Sequence, residues 1–354
     1  MSARRHLLPS ERLAALLAVL VALALNLAAS LELFVPQSTF GYHLIYANGF
    51  EVVDVDAETP AARARIISGD RLDFRQSTLH DRIVGLGYQS PLPGEPVTFF
   101  LVRNGAGKKM TLRAGSLTRA EYRQAAFSPL ASFLRLAGFA YIAVALVILL
   151  RRPGRMTWGL FLYLVSATDV SLYRFPDWLF PLAALASDVL SVAGTIGLVI
   201  FAVRFPEDRP VGWRAQLDRF AIPIGVIFAI PNLAWDATSL FLGASPAAWM
   251  VYGSTFGALA LIFVAVATLI AAYLAAGPGE RQRLQWVIVA VFFTLVSFAS
   301  GWARYWSSAY RFTTSDALVW TATVLYALAP FAIAYAVVRQ RIFDVSFVVS
   351  RTLV

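Results

Sequence analysis

Two aspartates, Asp169 and Asp188, are the side chains of this sequence best placed to do chemistry in an apolar setting. They lie on consecutive apolar runs, and a carboxyl group in hydrocarbon is costly unless it is paired or hydrated. At a rise of about 1.5 Å per residue, counted from opposite ends of the two runs, both lie near the middle of a bilayer. There they could share a proton or a cation, or they could only hydrogen-bond between helices.

The motifs of common enzymes are absent from the sequence. There is no cysteine, and the three histidines, His6, His43 and His80, all lie outside the apolar runs. A zinc protease needs a His-Glu-x-x-His helix, and an intramembrane serine protease needs a histidine base. There is also no P-loop and no nucleotide-binding glycine pattern. The sequence therefore predicts no catalytic residue, no metal site and no cofactor within these 354 residues.

The composition is that of a protein whose partner is the lipid bilayer. Hydrophobic residues make up 58% of the 354-residue chain and charged residues 14%, against roughly 45–50% and about 25% in soluble domains. Eight apolar runs approach the roughly 20 residues that a membrane-spanning helix needs. They cover residues 13–35, 130–150, 157–173, 178–203, 220–242, 247–274, 284–302 and 317–338. The first could instead be a signal peptide cleaved after Ala28-Ala29-Ser30.

The basic residues indicate the orientation of these helices. Most arginines near the ends of the predicted spans fall on alternate segments that include both ends of the chain, and such segments stay in the cytoplasm. The net charge of +9 is then explained by topology, without nucleic acid as a partner. The sequence thus predicts a multi-pass membrane protein with cytoplasmic termini and residues 36–128 outside.

Residues 36–116 have the charge content and turn signals of a small folded domain. Apolar segments predict strands over 42–46, 50–55, 71–74, 97–103 and 108–113. Thr59 followed by Pro60 predicts a short helix with proline in its first turn. Thr78 with Asp81 predicts a capping box that begins a helix reaching about residue 86.

This domain resembles bacterial PDZ domains through Phe40-Gly41-Tyr42, residues 50–55 and 59–66, Ser68-Gly69-Asp70 and residues 93–97. The resemblance implies a groove that receives the C-terminus of a peptide or protein. A loop then binds the carboxylate and the next strand pairs with the peptide. The implied peptide-binding residues are Thr39, Phe40, Gly41, Tyr42, His43, Leu44 and, on the groove helix, His80. The loop is so close to the first span that a bound peptide would lie beside the bilayer.

The end of the chain resembles the juxtamembrane segment of bacterial sensor histidine kinases. The matching residues are Arg339, Arg341-Ile342-Phe343-Asp344 and Ser350-Arg351-Thr352-Leu353-Val354. The resemblance implies a two-component protein of a bacterial inner membrane, whose kinase lies beyond Val354. Histidine kinase activity is therefore expected only from a longer parent protein.

The predicted fold class is a membrane α-helical bundle of eight helices with an extracytoplasmic α+β PDZ-like domain between the first two. Its parts are a cytoplasmic N-terminus (1–12), the first span (13–35), the PDZ-like domain (36–116), a connector (117–129), seven spans (130–338) and a juxtamembrane segment (339–354). The predicted function is a sensory input module that detects a peptide or protein terminus, with a homodimer among the arrangements this allows. The alternatives are a transporter or permease with an accessory PDZ-like domain, a scaffold that recruits a partner, and a PDZ-shaped domain that only relays force.

Overall fold

The computed structural model describes residues 8–31, 38–46, 49–116, 129–167, 175–206 and 208–278, with single residues and short pieces between 281 and 335. The first element is helix α1, Pro9–Leu31. A strand-rich unit follows it, which we call the sheet domain and which covers residues 38–116. Long apolar helices come after the sheet domain.

The sheet domain is α+β, as the sequence predicted. Its strands are β1 Ser38–Thr39, β2 Tyr42–Ile45, β3 Phe50–Val55, β4 Arg71–Asp73, β5 Pro96–Arg103, β6 Ala106–Arg113 and β7 Gly115–Ser116, with helices α2 Pro60–Arg63 and α3 Leu79–Gly85. Five strands form an antiparallel sheet in the order β2-β3-β4-β5-β6, and β1 pairs with β7. The predicted strands are confirmed to within two residues at each end.

Local chemistry explains several of these elements. The predicted capping box is confirmed, because the Thr78 side chain accepts from the Asp81 backbone N–H and the Asp81 side chain accepts from that of Thr78. Asn104 and Gly105 take φ values of 50° and 80°, as a two-residue turn between twisted strands requires. Every second residue of β5 is buried, so this strand forms the middle of the domain's core.

The helices after the sheet domain are α4 Pro129–Arg151, α5 Arg155–Ser166, α6 Phe180–Arg204, α7 Trp213–Asp236 and α8 Ala248–Ala275. Helix α7 continues directly into a π-helical turn, Ala237–Phe241. Among the described residues, four helices are long and apolar enough to cross a membrane: Pro9–Ser30, Phe180–Arg204, Trp213–Phe241 and Ala248–Ala275. These four agree with predicted spans and support a membrane protein.

The prediction of eight membrane-spanning helices is wrong, since the described residues provide four. Helix α5 has only 12 residues, which at about 1.5 Å each cover some 18 Å of a hydrocarbon core of about 30 Å. Helix α4, which covers the predicted span 130–150, has 23 residues and is not one of the four candidates. Of the predicted span 284–302, only residues 285–293 and 296 are described. Most of 317–338 and the end of 157–173 lie outside the described residues.

Helices α5 and α6 pack most closely through small residues. A Cβ atom on Gly159 would lie 2.6 Å from the Gly197 carbonyl oxygen, and one on Gly197 would lie 2.5 Å from that of Gly159. Glycine at both positions therefore lets the two backbones touch, as in other membrane-helix pairs. This contact fixes the position of α6, which carries Asp188.

Candidate functional site

The predicted carboxylate loop joins β1 to β2 and is tightly folded. The Gly41 N–H donates to the Thr39 hydroxyl oxygen at 2.9 Å, and the Gly41 carbonyl accepts from the Asp56 N–H at 2.9 Å. Gly41 has φ 79°, and a Cβ there would lie 2.1 Å from the Thr59 hydroxyl oxygen, so glycine is required. The N–H of Gly41 is thus already hydrogen-bonded within the loop.

Two tyrosine side chains cross the space between β2 and α3, where the resemblance places the peptide groove. The Tyr42 hydroxyl donates to the Gly85 carbonyl at 2.7 Å, and the Tyr46 hydroxyl donates to that of Leu86 at 2.6 Å. Burial, and next the neighbouring Tyr46, raise the pKa of the Tyr42 phenol above its usual range, so this phenol remains a donor. These bonds tie the outer strand to the end of α3.

The remaining predicted groove residues have different surroundings. Phe40 is buried in the core of the sheet domain and Leu44 packs at its margin. His43 is exposed and pairs with Asp56 at 3.1 Å. His80 is held between Glu95 at 3.2 Å and Asp177 at 3.1 Å. The structure therefore brings residues 39–44 together, whereas His80 bridges the sheet domain to the segment before α6.

The sheet domain and the long helices share one hydrophobic core. Phe180 and Ala184 from α6 and Leu240 from the π-helical turn pack among the core residues of the sheet domain. Phe180 and Leu240 are almost completely buried, and the Phe180 ring meets the Tyr88 ring edge-on at 6.0 Å. The sheet domain is therefore packed directly against the ends of α6 and α7.

Polar contacts fix the same interface. Arg82 donates to the carbonyls of Leu240 and Phe241 in the π-helical turn. The Ser245 hydroxyl donates to the Tyr46 carbonyl at 2.9 Å and accepts from the Gly49 N–H at 3.0 Å. The turn after α7 is therefore bonded to two separate parts of the sheet domain.

A cavity of about 340 Å³ lies at this junction, between the sheet domain and helices α6, α7 and α8. We call it the junction cavity. Aromatic rings line it together with an amide, hydroxyl groups and one carboxyl group. The lining residues are Tyr46, Tyr88, Ser191, Val192, Thr195, Gly225, Phe228, Asn232, Trp235, Asp236, Ser254, Ala258 and Leu261.

Asp188 and Asp236, which we call the carboxyl pair, interact at the wall of the junction cavity. Their carboxyl groups are close enough to interact electrostatically. Tyr88 donates to Asp236 at 2.8 Å, and the Asn232 amide donates to Asp188 at 2.8 Å. The other oxygen of Asp188 is buried and has no donor among the described residues. Two carboxyl groups can bond to each other only through a proton, so the pair is chemically suited to hold a proton or a cation.

Tyr88 is a neutral hydrogen-bond donor to the carboxyl pair. Burial, followed by the charge of Asp236, raises the pKa of its phenol well above the usual range. Tyr88 therefore remains an O–H donor around neutral pH. It comes from the sheet domain, so the domain itself supplies a hydrogen bond to an aspartate of helix α7.

The sequence prediction found Asp188 but missed its partner. Asp169, the partner expected then, lies outside the described residues. Asp236 lies within the predicted span 220–242, and the criterion that selected Asp188 would also have selected it. As for metals, the described part of the chain contains no group of three or more histidine, cysteine, aspartate or glutamate residues that could hold an ion.

Comparisons of the chain with protein-family models, curated proteins and solved structures find no match. The resemblances to PDZ domains and to sensor kinases therefore stay predictions.

Proposed function

We propose that this chain is the sensory input module of a membrane signalling protein. The sheet domain detects a ligand, and helices α6 and α7 relay its displacement across the membrane to an output domain. The observation that carries the proposal is the core shared by the sheet domain and the ends of these helices. A domain packed in this way cannot shift without moving the helices, because packed cores adopt discrete arrangements.

Helix α7 is suited to receive such a displacement. It contains Pro223 and Pro231 and leads into the π-helical turn. Proline removes a backbone hydrogen bond, and π-helical turns are frequent at functional sites. Arg82 from the sheet domain holds the carbonyls of this turn. Movement of the sheet domain would therefore displace α7 at its least regular segment. Such a relay requires two packings of the domain and helices that differ by a few kcal/mol.

The proposed ligand is the C-terminus of a peptide or protein that adds to strand β2. This strand is one of the two outer strands of the five-stranded sheet, and an outer strand can pair with an extended peptide. The proposed output is a histidine kinase, on the strength of residues 339–344 and 350–354.

Distance measurements between spin labels test the relay. Because the chain has no cysteine, cysteines placed at Val211 and Leu274, which are exposed and distant from the sheet domain, can be labelled selectively. We expect a peptide pool with free C-terminal carboxylates to change the distance distribution between these labels. The same pool with amidated C-termini should leave it unchanged.

A matched pair of labels controls for changes inside the sheet domain. Arg71 and Lys109 are both exposed on its strands, and the distance between labels there should stay constant. An unchanged Val211–Leu274 distance with a bound peptide would contradict the relay. Absence of any binding would contradict the choice of ligand.

A transporter or permease is the second candidate function. The carboxyl pair beside a cavity between helices favours it, because intramembrane acids often lie on proton and substrate pathways. Reconstituted vesicles loaded with a pH-sensitive dye would decide. Ligand-dependent proton movement that is lost in Asp188→Asn, with the label distances unaffected, would favour transport over sensing.

A further inference from the structure

We propose that the junction cavity binds a small organic cation through a protonated amine that donates to the carboxyl pair. The regulatory consequence of binding rests on the proposed function: the ligand would change how the sheet domain packs against the helices. Binding itself is a property of the cavity and is measured separately. The charge, the aromatic lining and the volume of the cavity all favour such a ligand.

The charge of the junction cavity is unbalanced. Among the described residues, its lining contains the carboxyl group of Asp236 and no basic side chain. Asp188 lies behind Asn232, which donates to it at 2.8 Å. The donors to the carboxyl pair, Tyr88 and Asn232, are both neutral, and the second Asp188 oxygen has no donor among the described residues. Acids within a membrane protein normally pair with a cation, and a protonated amine would supply one.

Aromatic rings surround the same space. Tyr46, Tyr88, Phe228 and Trp235 all line the cavity, and the Tyr46 and Trp235 ring centroids are 5.5 Å apart at 47°. Tilted rings of this kind present faces to a cation, and aromatic faces beside an acid are a common way to bind ammonium groups. The lining therefore favours a cation with an apolar body over a hydrated metal ion.

The volume limits the size of the ligand. At about 340 Å³, the cavity is at the lower end of the roughly 300–1,000 Å³ typical of small-molecule sites. An aromatic or aliphatic amine of low molecular weight fits this volume, whereas a folded segment does not. The hydroxyl groups of Ser191, Thr195 and Ser254 offer further acceptors for the amine.

Three probes of one shape and different charge test the inference on the full chain in lipid nanodiscs. Phenethylamine is cationic, phenethyl alcohol is neutral and phenylacetate is anionic. Binding is measured by equilibrium dialysis, with empty nanodiscs subtracted. We expect saturable binding of the amine, at least tenfold weaker binding of the alcohol, and none of the anion.

Variants locate the site. Asp236→Asn and Asp188→Asn should each weaken phenethylamine binding at least tenfold. Asp73→Asn is the matched control, because Asp73 pairs with Arg75 on the sheet domain and does not line the cavity. This variant should bind phenethylamine as tightly as the unsubstituted protein. Ala258→Phe fills the cavity without changing its charge and should also abolish binding. Unfolding temperatures identify any variant that fails to fold.

Several outcomes would overturn the inference. These are equal affinity for the alcohol and the amine, full binding by Asp236→Asn and Ala258→Phe, or proton uptake by the carboxyl pair without amine binding. Failure of the proposed function is distinguishable. If the amine binds and peptides leave the Val211–Leu274 distance unchanged, the relay fails and the cavity inference stands. If peptides change that distance and no amine binds, the reverse holds.

Discussion

Helices α6 and α7 carry two clusters of acidic side chains, one paired with arginine and one bonded only to neutral groups among the described residues. In the first, Arg204 donates to both oxygens of Asp218 at 2.6 Å and also to Asp208 at 3.1 Å. In the second, Asp188 and Asp236 receive hydrogen bonds only from neutral groups among the described residues. The first cluster is electrostatically complete and joins the helices. The second lacks a cation, and this is the condition that a cationic ligand would satisfy.

The largest expected effect is at the complete cluster. Arg204→Met leaves Asp218, which is 8% exposed, without its bidentate partner. Breaking one side of a buried ion pair costs roughly 3–5 kcal/mol. Arg155 also reaches Asp218, at 3.7 Å, so we expect a loss of about 3 kcal/mol. The free energy of unfolding in detergent, followed by tryptophan fluorescence, measures it.

The double variant Arg204→Met/Asp218→Leu is the control for this loss. Removing both charges leaves no orphaned acid at Asp218, so most of the stability should return. If the double variant is as unstable as Arg204→Met, then packing and not charge holds this end of the helices together. That result would remove one side of the comparison.

A smaller effect is expected where the sheet domain meets the carboxyl pair. Tyr88→Phe removes the hydroxyl that donates to Asp236 at 2.8 Å and should cost about 1–2 kcal/mol. Hydrogen exchange should show faster opening at the π-helical turn that follows Asp236. Tyr42→Phe loses a hydroxyl bonded to Gly85 inside the sheet domain, and its effect should stay on α3. If each variant speeds exchange equally at the π-helical turn and at α3, the junction does not open separately from the sheet domain.

The sheet domain offers a third carboxyl group, and its arginine makes it resemble the complete cluster. Burial raises the pKa of Asp70. Hydrogen bonds from Arg103 and the Ile67 N–H, together with the Arg103 charge, lower it by more, so the pKa of Asp70 lies below its usual value. A lowered folded-state pKa gives stability that is present above the unfolded pKa of about 3.9 and is lost as the pH falls through the folded value. Above about pH 5, therefore, this pair should give no pH dependence.

Hydrogen exchange of strand β5, corrected for intrinsic rates, measures this dependence. Protection should be constant from neutral pH to about pH 5 and should fall below about pH 4. Asp70→Asn should flatten the acid fall. Asp73→Asn, at the more exposed pair with Arg75, is the control and should alter it less. A fall that begins near neutral pH would contradict the assignment to Asp70.

The sequence predicted what depends on local pattern. The strands, the capping box of Thr78 and helix α8 follow from alternation, capping chemistry and one long apolar run, and the structure agrees. The predicted span 157–173 failed because hydropathy does not show where a helix ends, and α5 ends at Ser166. Length had to be read from the backbone.

The candidate site was only half predictable. An acid in an apolar run can be recognised in isolation, and Asp188 was. Its contact with Asp236, the donation from Tyr88 and the bridge from His80 to Asp177 join residues distant along the chain. They depend on how the sheet domain packs on the helices, and a single sequence contains no direct record of that packing.

The smallest effect is expected from Asp188→Asn. An amide keeps the volume of the carboxyl group and can itself donate to Asp236, which replaces a shared proton. No cation is orphaned among the described partners, since Asn232 is neutral. The free energy of unfolding should therefore change by less than about 1 kcal/mol, against about 3 kcal/mol for Arg204→Met. A loss as large as that of Arg204→Met would show a structural ion pair at Asp188 and would leave no vacancy for a cationic ligand.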